Sequence, residues 1–106
     1  MSPYKINIKE FAGDFCGDGD KASLIKITKI DPLLNEGKNL MLDFTGVRSM
    51  NSSFSNALIA NLIGQRGIDV LQHVSFHGCN EKVKVLIEIA VELGLKRNKE
   101  ENHTTA

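Results

Sequence analysis

Asn39-Leu40-Met41-Leu42-Asp43-Phe44, followed by Thr45-Gly46-Val47-Arg48-Ser49-Met50-Asn51-Ser52-Ser53-Phe54, is the stretch that decides the fold. Its first six residues are apolar on both faces until Asp43, the pattern of a strand covered on two sides, so an interior strand is predicted over 39–44. The next nine are rich in small polar residues, and Gly46 marks a tight turn. From Phe54 to Ile63 the apolar positions 54, 58, 59, 62 and 63 fall on one helical stripe. Asn51, Ser52 and Ser53 all suit an N-cap directly before it, and Gly64 and Gly67 mark its end. A strand, a turn with glycine and a hydroxyl cluster opening a helix form one β-to-α unit, here with the helix over 53–65.

Upstream, Tyr4-Lys5-Ile6-Asn7-Ile8-Lys9 alternates with period two and reads as a strand over 4–9. Gly13, Gly17 and Gly19 among Asp14, Asp18 and Asp20 mark a loop, with Asp20 as the cap of the next helix. Residues 20–36 are predicted as that helix, irregular near Pro32 and stopped by Gly37; a strand over 23–30 is the competing reading, because the periodicity there is mixed. Downstream, 72–77 alternates again as a third strand. Asn80 caps a helix over 80–94, stopped by Gly94 and apolar over an arc wider than one sheet face needs. That arc is explained either by burial within the chain or by contact with another protein. The order strand, helix, strand, helix, strand, helix gives an α/β fold: one small domain over 1–95 with a mostly parallel or mixed sheet of three to four strands and alternating helices. Residues 96–106 are polar and charged, and are expected to form a disordered tail.

Composition narrows the function classes. The chain has 106 residues, 42% of them hydrophobic, enough for one core without staples. Lys plus Arg and Asp plus Glu both total 13, a balance that speaks against a generally basic nucleic-acid coat. No apolar run reaches the roughly 18–20 residues of a membrane span, and no secretory signal is visible, so the cytoplasm is the expected location. Cys16 and Cys79 belong to no Cys-x-x-Cys pair and are expected to be free thiols.

Several constellations bear on chemistry. A helix N-terminus carries unpaired N–H groups and the positive end of a dipole, so the serines at 52 and 53 sit where a phosphate can be bound or attached; plain capping is the simpler account. His73 and His77 share a strand face with Cys79 nearby. Positions four apart on a strand are separated by about 13 Å, too far for one zinc ion, so no metal is expected. The glycine-aspartate loop lacks calcium-loop spacing and a phosphate-binding lysine. Asp43 with Ser52 or Ser53 lacks a nucleophile elbow, and Asp43 is read instead as an acceptor in the turn after it, with Gly46. No catalytic residues and no cofactor are expected.

The run Leu42-Asp43-Phe44-Thr45-Gly46-Val47 with Ser49-Met50-Asn51-Ser52-Ser53 resembles the strand-to-helix signature of STAS domains, the fold of bacterial anti-sigma factor antagonists. The wider pattern from Tyr4 to Leu95 looks closest to the bacterial and phage STAS-like domains of unknown function. The resemblance implies a non-enzymatic interaction module that docks a partner protein, an ATP-binding kinase of the anti-sigma type. It implies Ser52 as phosphoacceptor, with Ser53 as its neighbour, and Asn51, Phe54 and Asn56 as partner-binding residues. Asn51 stands where those domains have aspartate and Phe54 where they have glycine. No nucleic acid or membrane partner is implied. Two other readings stand beside it: a structural or assembly subunit that forms a homodimer through helix 80–94, and an anion- or nucleotide-binding module at the start of helix 53–65.

Overall fold

A computed structural model describes residues 3–104, with side chains through residue 100. Strands β1 (Tyr4–Asn7), β3 (Leu40–Asp43) and β5 (Val74–His77) form a parallel sheet in the order β1-β3-β5. Two short strands, β2 (Phe15–Cys16) and β4 (Ser49–Met50), form a separate parallel ladder. Three long helices cover residues 19–35, 52–66 and Glu81–Thr104. The fold is the expected α/β arrangement, and the sheet is wholly parallel.

In register, Leu42 lies between Ile6 and Phe76, and Leu40 beside Val74. These side chains face the helices and are buried or half-buried, while Lys5, Ser75 and His77 on the opposite face are exposed. A sheet that grows in one direction through right-handed crossovers puts its helices on one side, so this is a two-layer domain with one open sheet face. Its core joins Leu42, Phe44, Phe54, Leu58, Ile59 and Val83, all fully buried.

The first strand ends at Asn7, two residues before the expected end, because Asn7 Oδ1 accepts the Glu10 N–H at 3.2 Å and caps a short helix over Ile8–Ala12. The third expected strand begins late because a 3-10 turn takes Ile68–Gln72. Segment 23–30 is helical, not extended. Its cap is Asp18 instead of Asp20: Asp18 Oδ1 accepts the Asp20 N–H at 2.9 Å. The irregularity near Pro32 is a π-turn over Lys26–Ile30. Proline has no N–H and its ring crowds the carbonyl four residues back, and a widened turn relieves both.

That π-turn places Lys26 in the interior, where its ammonium meets Asp31 Oδ2 at 2.9 Å and Gln65 Oε1 at 2.7 Å. Arg66 holds the other oxygen, Asp31 Oδ1, at 3.0 Å. A buried cation with two acceptors, one of them charged, joins the first long helix to the second.

The expected helix stop at Gly94 is corrected. The last helix continues to Thr104, and only residues 105–106 of the tail lie outside the described residues. Gly94 is an interior glycine at a close crossing: a Cβ there would lie 2.6 Å from Ile63 Cβ and 2.7 Å from the Ala60 carbonyl. Beyond it, Arg97 donates to Asn61 Oδ1 at 3.1 Å and Asn98 to the Gly64 carbonyl at 3.0 Å. Gly64 belongs to the same crossing and is not a helix end; the second helix stops at Gly67, where φ is +81°.

Candidate functional site

The Asn51–Phe54 turn is built by the small β2–β4 ladder. Phe15 pairs with Ser49 and Cys16 with Met50. The Asn51 N–H then donates to the Cys16 carbonyl at 3.0 Å. The Asn51 side chain completes the junction. Its Oδ1 accepts the Phe54 N–H at 2.9 Å and its Nδ2 donates to the Gly17 carbonyl at 2.9 Å. Asn51 is therefore the N-cap of the second long helix, and Ser52 and Ser53 are its first two residues. Both serines are exposed.

The first long helix starts beside this point. A Cβ on Gly19 would lie 3.3 Å from the Ser53 carbonyl, so the two helix starts pack tightly there. Asp18 and Asp20 flank Gly19, so the segment packed against Ser53 is acidic on both sides of the contact in sequence.

Phe54 does not lie with the serines, whereas Asn56 follows Ser52 by one helical turn. The Phe54 ring is fully buried in the core, which corrects its reading as a partner-binding residue: the first inward position of a helical stripe must fill the core, and here that position is 54. The ring consequently does not stand over Ser52. Asn56 is half-buried and opens a second π-turn, Asn56–Ala60.

A residue that sequence reasoning missed is exposed on the adjoining loop. Phe15 is 59% exposed, and its ring lies within 3.0 Å of where a Gly17 Cβ would be, on the loop that Asn51 holds. Its neighbour Cys16 is fully buried. Alternation in the two-residue strand turns one side chain inward and the other out, but a strand that short leaves no periodic signal in the sequence.

Asp43 and Gly46 form a different structure, at the carboxyl end of the central strand. Asp43 Oδ1 accepts the Thr45 N–H at 2.9 Å and its hydroxyl at 2.6 Å, and Oδ2 meets Lys5 Nζ at 3.2 Å. The Thr45 hydroxyl, then the Thr45 N–H, hold the carboxyl below its ordinary range, with Lys5 adding to them. Gly46 turns the chain at φ +83°, where a Cβ would lie 2.8 Å from Lys9 Cδ. Asp43 thus closes a turn and fixes where the connection to the second helix begins.

The remaining candidates are engaged elsewhere. His73 Nδ1 meets Asn39 Oδ1 at 2.8 Å, and His77 Nε2 meets Ser75 Oγ at 3.1 Å. Burial, with Asp14 adding to it, pushes the Cys16 thiol up to about 11, and burial also raises that of Cys79. Neither thiol is a poised nucleophile. No helix among the described residues is long and apolar enough to cross a membrane.

No curated protein and no solved structure matches the chain. Residues 22–84 do match a protein family, and that span includes the central strand, the Asn51–Phe54 turn and the whole second helix. The chain belongs to the family described as the STAS-like domain of unknown function (DUF4325).

Proposed function

We propose that the chain is a non-enzymatic protein-interaction module that docks a partner protein across Phe15, Ser52 and Ser53, under the control of phosphate on Ser52. The supporting observation is the exposed Phe15 ring on the loop that Asn51 ties to the start of the helix carrying two exposed serines. An exposed aromatic on rigid backbone is the usual kind of anchor at a protein interface, because it buries much area at little cost in side-chain entropy. The Asn51 bonds and the β2–β4 ladder supply the rigidity.

A phosphate on Ser52 would add ~1.5–2 negative charges. It would stand next to an apolar anchor and close to the acidic segment of Asp18 and Asp20. Both surroundings disfavour it inside an interface, one by desolvation and the other by like charge, so modification ends docking. The partner class, an ATP-binding kinase of the anti-sigma type, rests on the STAS resemblance alone. The acidic neighbours also weigh against using the same helix start for a free anion or nucleotide.

The test is affinity capture from the native host with wild type, Phe15→Ala and Ser52→Asp as baits, with phosphosite mapping of the recovered wild type. A partner held by wild type and lost with both variants supports the reading. A partner held equally by all three overturns it.

A further inference from the structure

Lys82, Val85, Ile89 and Glu92 form one line along the outward side of the last helix. Their spacing of three, four and three residues keeps them on a single stripe, opposite the core-facing Val83, Ile87 and Ala90. All four are exposed, Val85 at 53% and Ile89 at 57%. The helix therefore buries most of its wide apolar arc within the chain and leaves these two side chains outside.

The stripe has a particular symmetry. Val85 and Ile89 are equally far from position 87, and so are Lys82 and Glu92. Neither Lys82 nor Glu92 makes an ion pair among the described residues. A second copy of the helix laid antiparallel, with its position 87 over this one, sets Val85 against Ile89 twice and Lys82 against Glu92 twice. A parallel copy would instead set Lys82 on Lys82 and Glu92 on Glu92. The charges thus select both the occupant and its direction.

We propose that the chain pairs with itself about a two-fold axis through the last helix, the stripe Lys82–Val85–Ile89–Glu92 forming the seam. This surface is separate from the Phe15–Ser52 docking face, and it stands or falls independently of that reading.

Sedimentation equilibrium of the full chain tests it, with wild type, Val85→Glu, Lys82→Glu, Glu92→Lys and the double reversal Lys82→Glu/Glu92→Lys. Wild type is expected to dimerise reversibly and Val85→Glu to be monomeric with an unchanged circular dichroism spectrum. Each single reversal inverts two contacts per dimer and should raise the dissociation constant about tenfold, somewhat beyond simple loss of two surface pairs. The double reversal restores complementarity and should return to within about threefold of wild type. A monomeric wild type, association that survives Val85→Glu, or a double reversal no tighter than the singles would each overturn the proposal. Should Val85→Glu misfold, the charge reversals on exposed side chains decide the matter alone.

Discussion

Asn51 donates from Nδ2 to the Gly17 carbonyl at 2.9 Å, joining points 34 residues apart in the chain. Its Oδ1 meanwhile caps the second helix through the Phe54 N–H. An aspartate performs the second task and cannot perform the first, because it has no donor. Asn51→Asp should therefore keep the helix start and lose the tie to the loop that carries Phe15, at a cost of ~1 kcal/mol. Asn51→Ala loses both and should cost ~2 kcal/mol. Urea denaturation of the three proteins measures this, and an aspartate variant as stable as wild type would contradict it.

The crossing of the second and last helices depends on Gly94. In an exposed helix interior, glycine to alanine stabilises by up to about 1 kcal/mol. Here the new methyl would lie 2.6 Å from Ile63 Cβ and 2.7 Å from the Ala60 carbonyl. Backbone cannot yield as a flexible side chain does, so Gly94→Ala should destabilise by ~1–3 kcal/mol. Gly37, with nothing within 4 Å of a Cβ but a φ of +77°, is a useful contrast, because strain and not crowding penalises alanine there. A rise in the thermal midpoint of Gly94→Ala would show that the crossing is looser than described.

Asp43 predicts how the fold responds to acid. Its hydrogen bonds with Thr45 lower the folded carboxyl pKa below the unfolded one. The stabilisation is therefore complete above the unfolded carboxylate range and disappears as pH falls through the lower, folded value. Asp43→Asn should flatten the acid side of the curve of stability against pH. Thr45→Val keeps the backbone donor and removes the hydroxyl, so the folded carboxyl pKa rises toward the unfolded one, and the acid-linked loss of stability should be smaller and be complete at a higher pH than in wild type. Identical acid slopes for wild type and Asp43→Asn would refute the assignment.

The fold is legible in the sequence where periodic burial leaves a repeating mark. Leu40 to Asp43, the stripe from Phe54 to Ile63 and the alternation at Val74 to His77 are such marks, and two of the three parallel strands and the second helix are read from them. It is not legible where tertiary contact overrides a local signal. Gly94 has the composition of a helix stop, and only its approach to Ile63 makes it an interior residue. Polar residues 96–100 have no apolar pattern, yet Arg97 and Asn98 find acceptors on the second helix. At the candidate site, capping chemistry reveals the turn and its hydroxyls. Phe15 stays hidden, because a two-residue ladder is specified by a partner strand 34 positions away and not by its own neighbours.

Ser52 carries the last prediction. The cap of the second helix is Asn51, so the Ser52 hydroxyl is not needed for helix initiation, and Ser52→Ala should leave stability within about 0.5 kcal/mol of wild type. Ser52→Asp places a negative charge in the first turn, where the helix dipole favours it by ~0.3–1 kcal/mol. Asp18 and Asp20 in the adjoining helix start oppose that gain, so the variant should be folded and within about 1 kcal/mol of wild type. Partner binding should separate the two variants that stability does not. Ser52→Ala should bind as wild type does, and Ser52→Asp should bind ~1–3 kcal/mol more weakly. Phosphate should appear on Ser52 in preference to Ser53, whose backbone lies against Gly19. Calorimetry with the captured partner and mass spectrometry of protein from its own host measure these outcomes. Phosphate on neither serine, together with full binding by Ser52→Asp, would remove the control and leave Phe15 as the anchor of a constitutive contact.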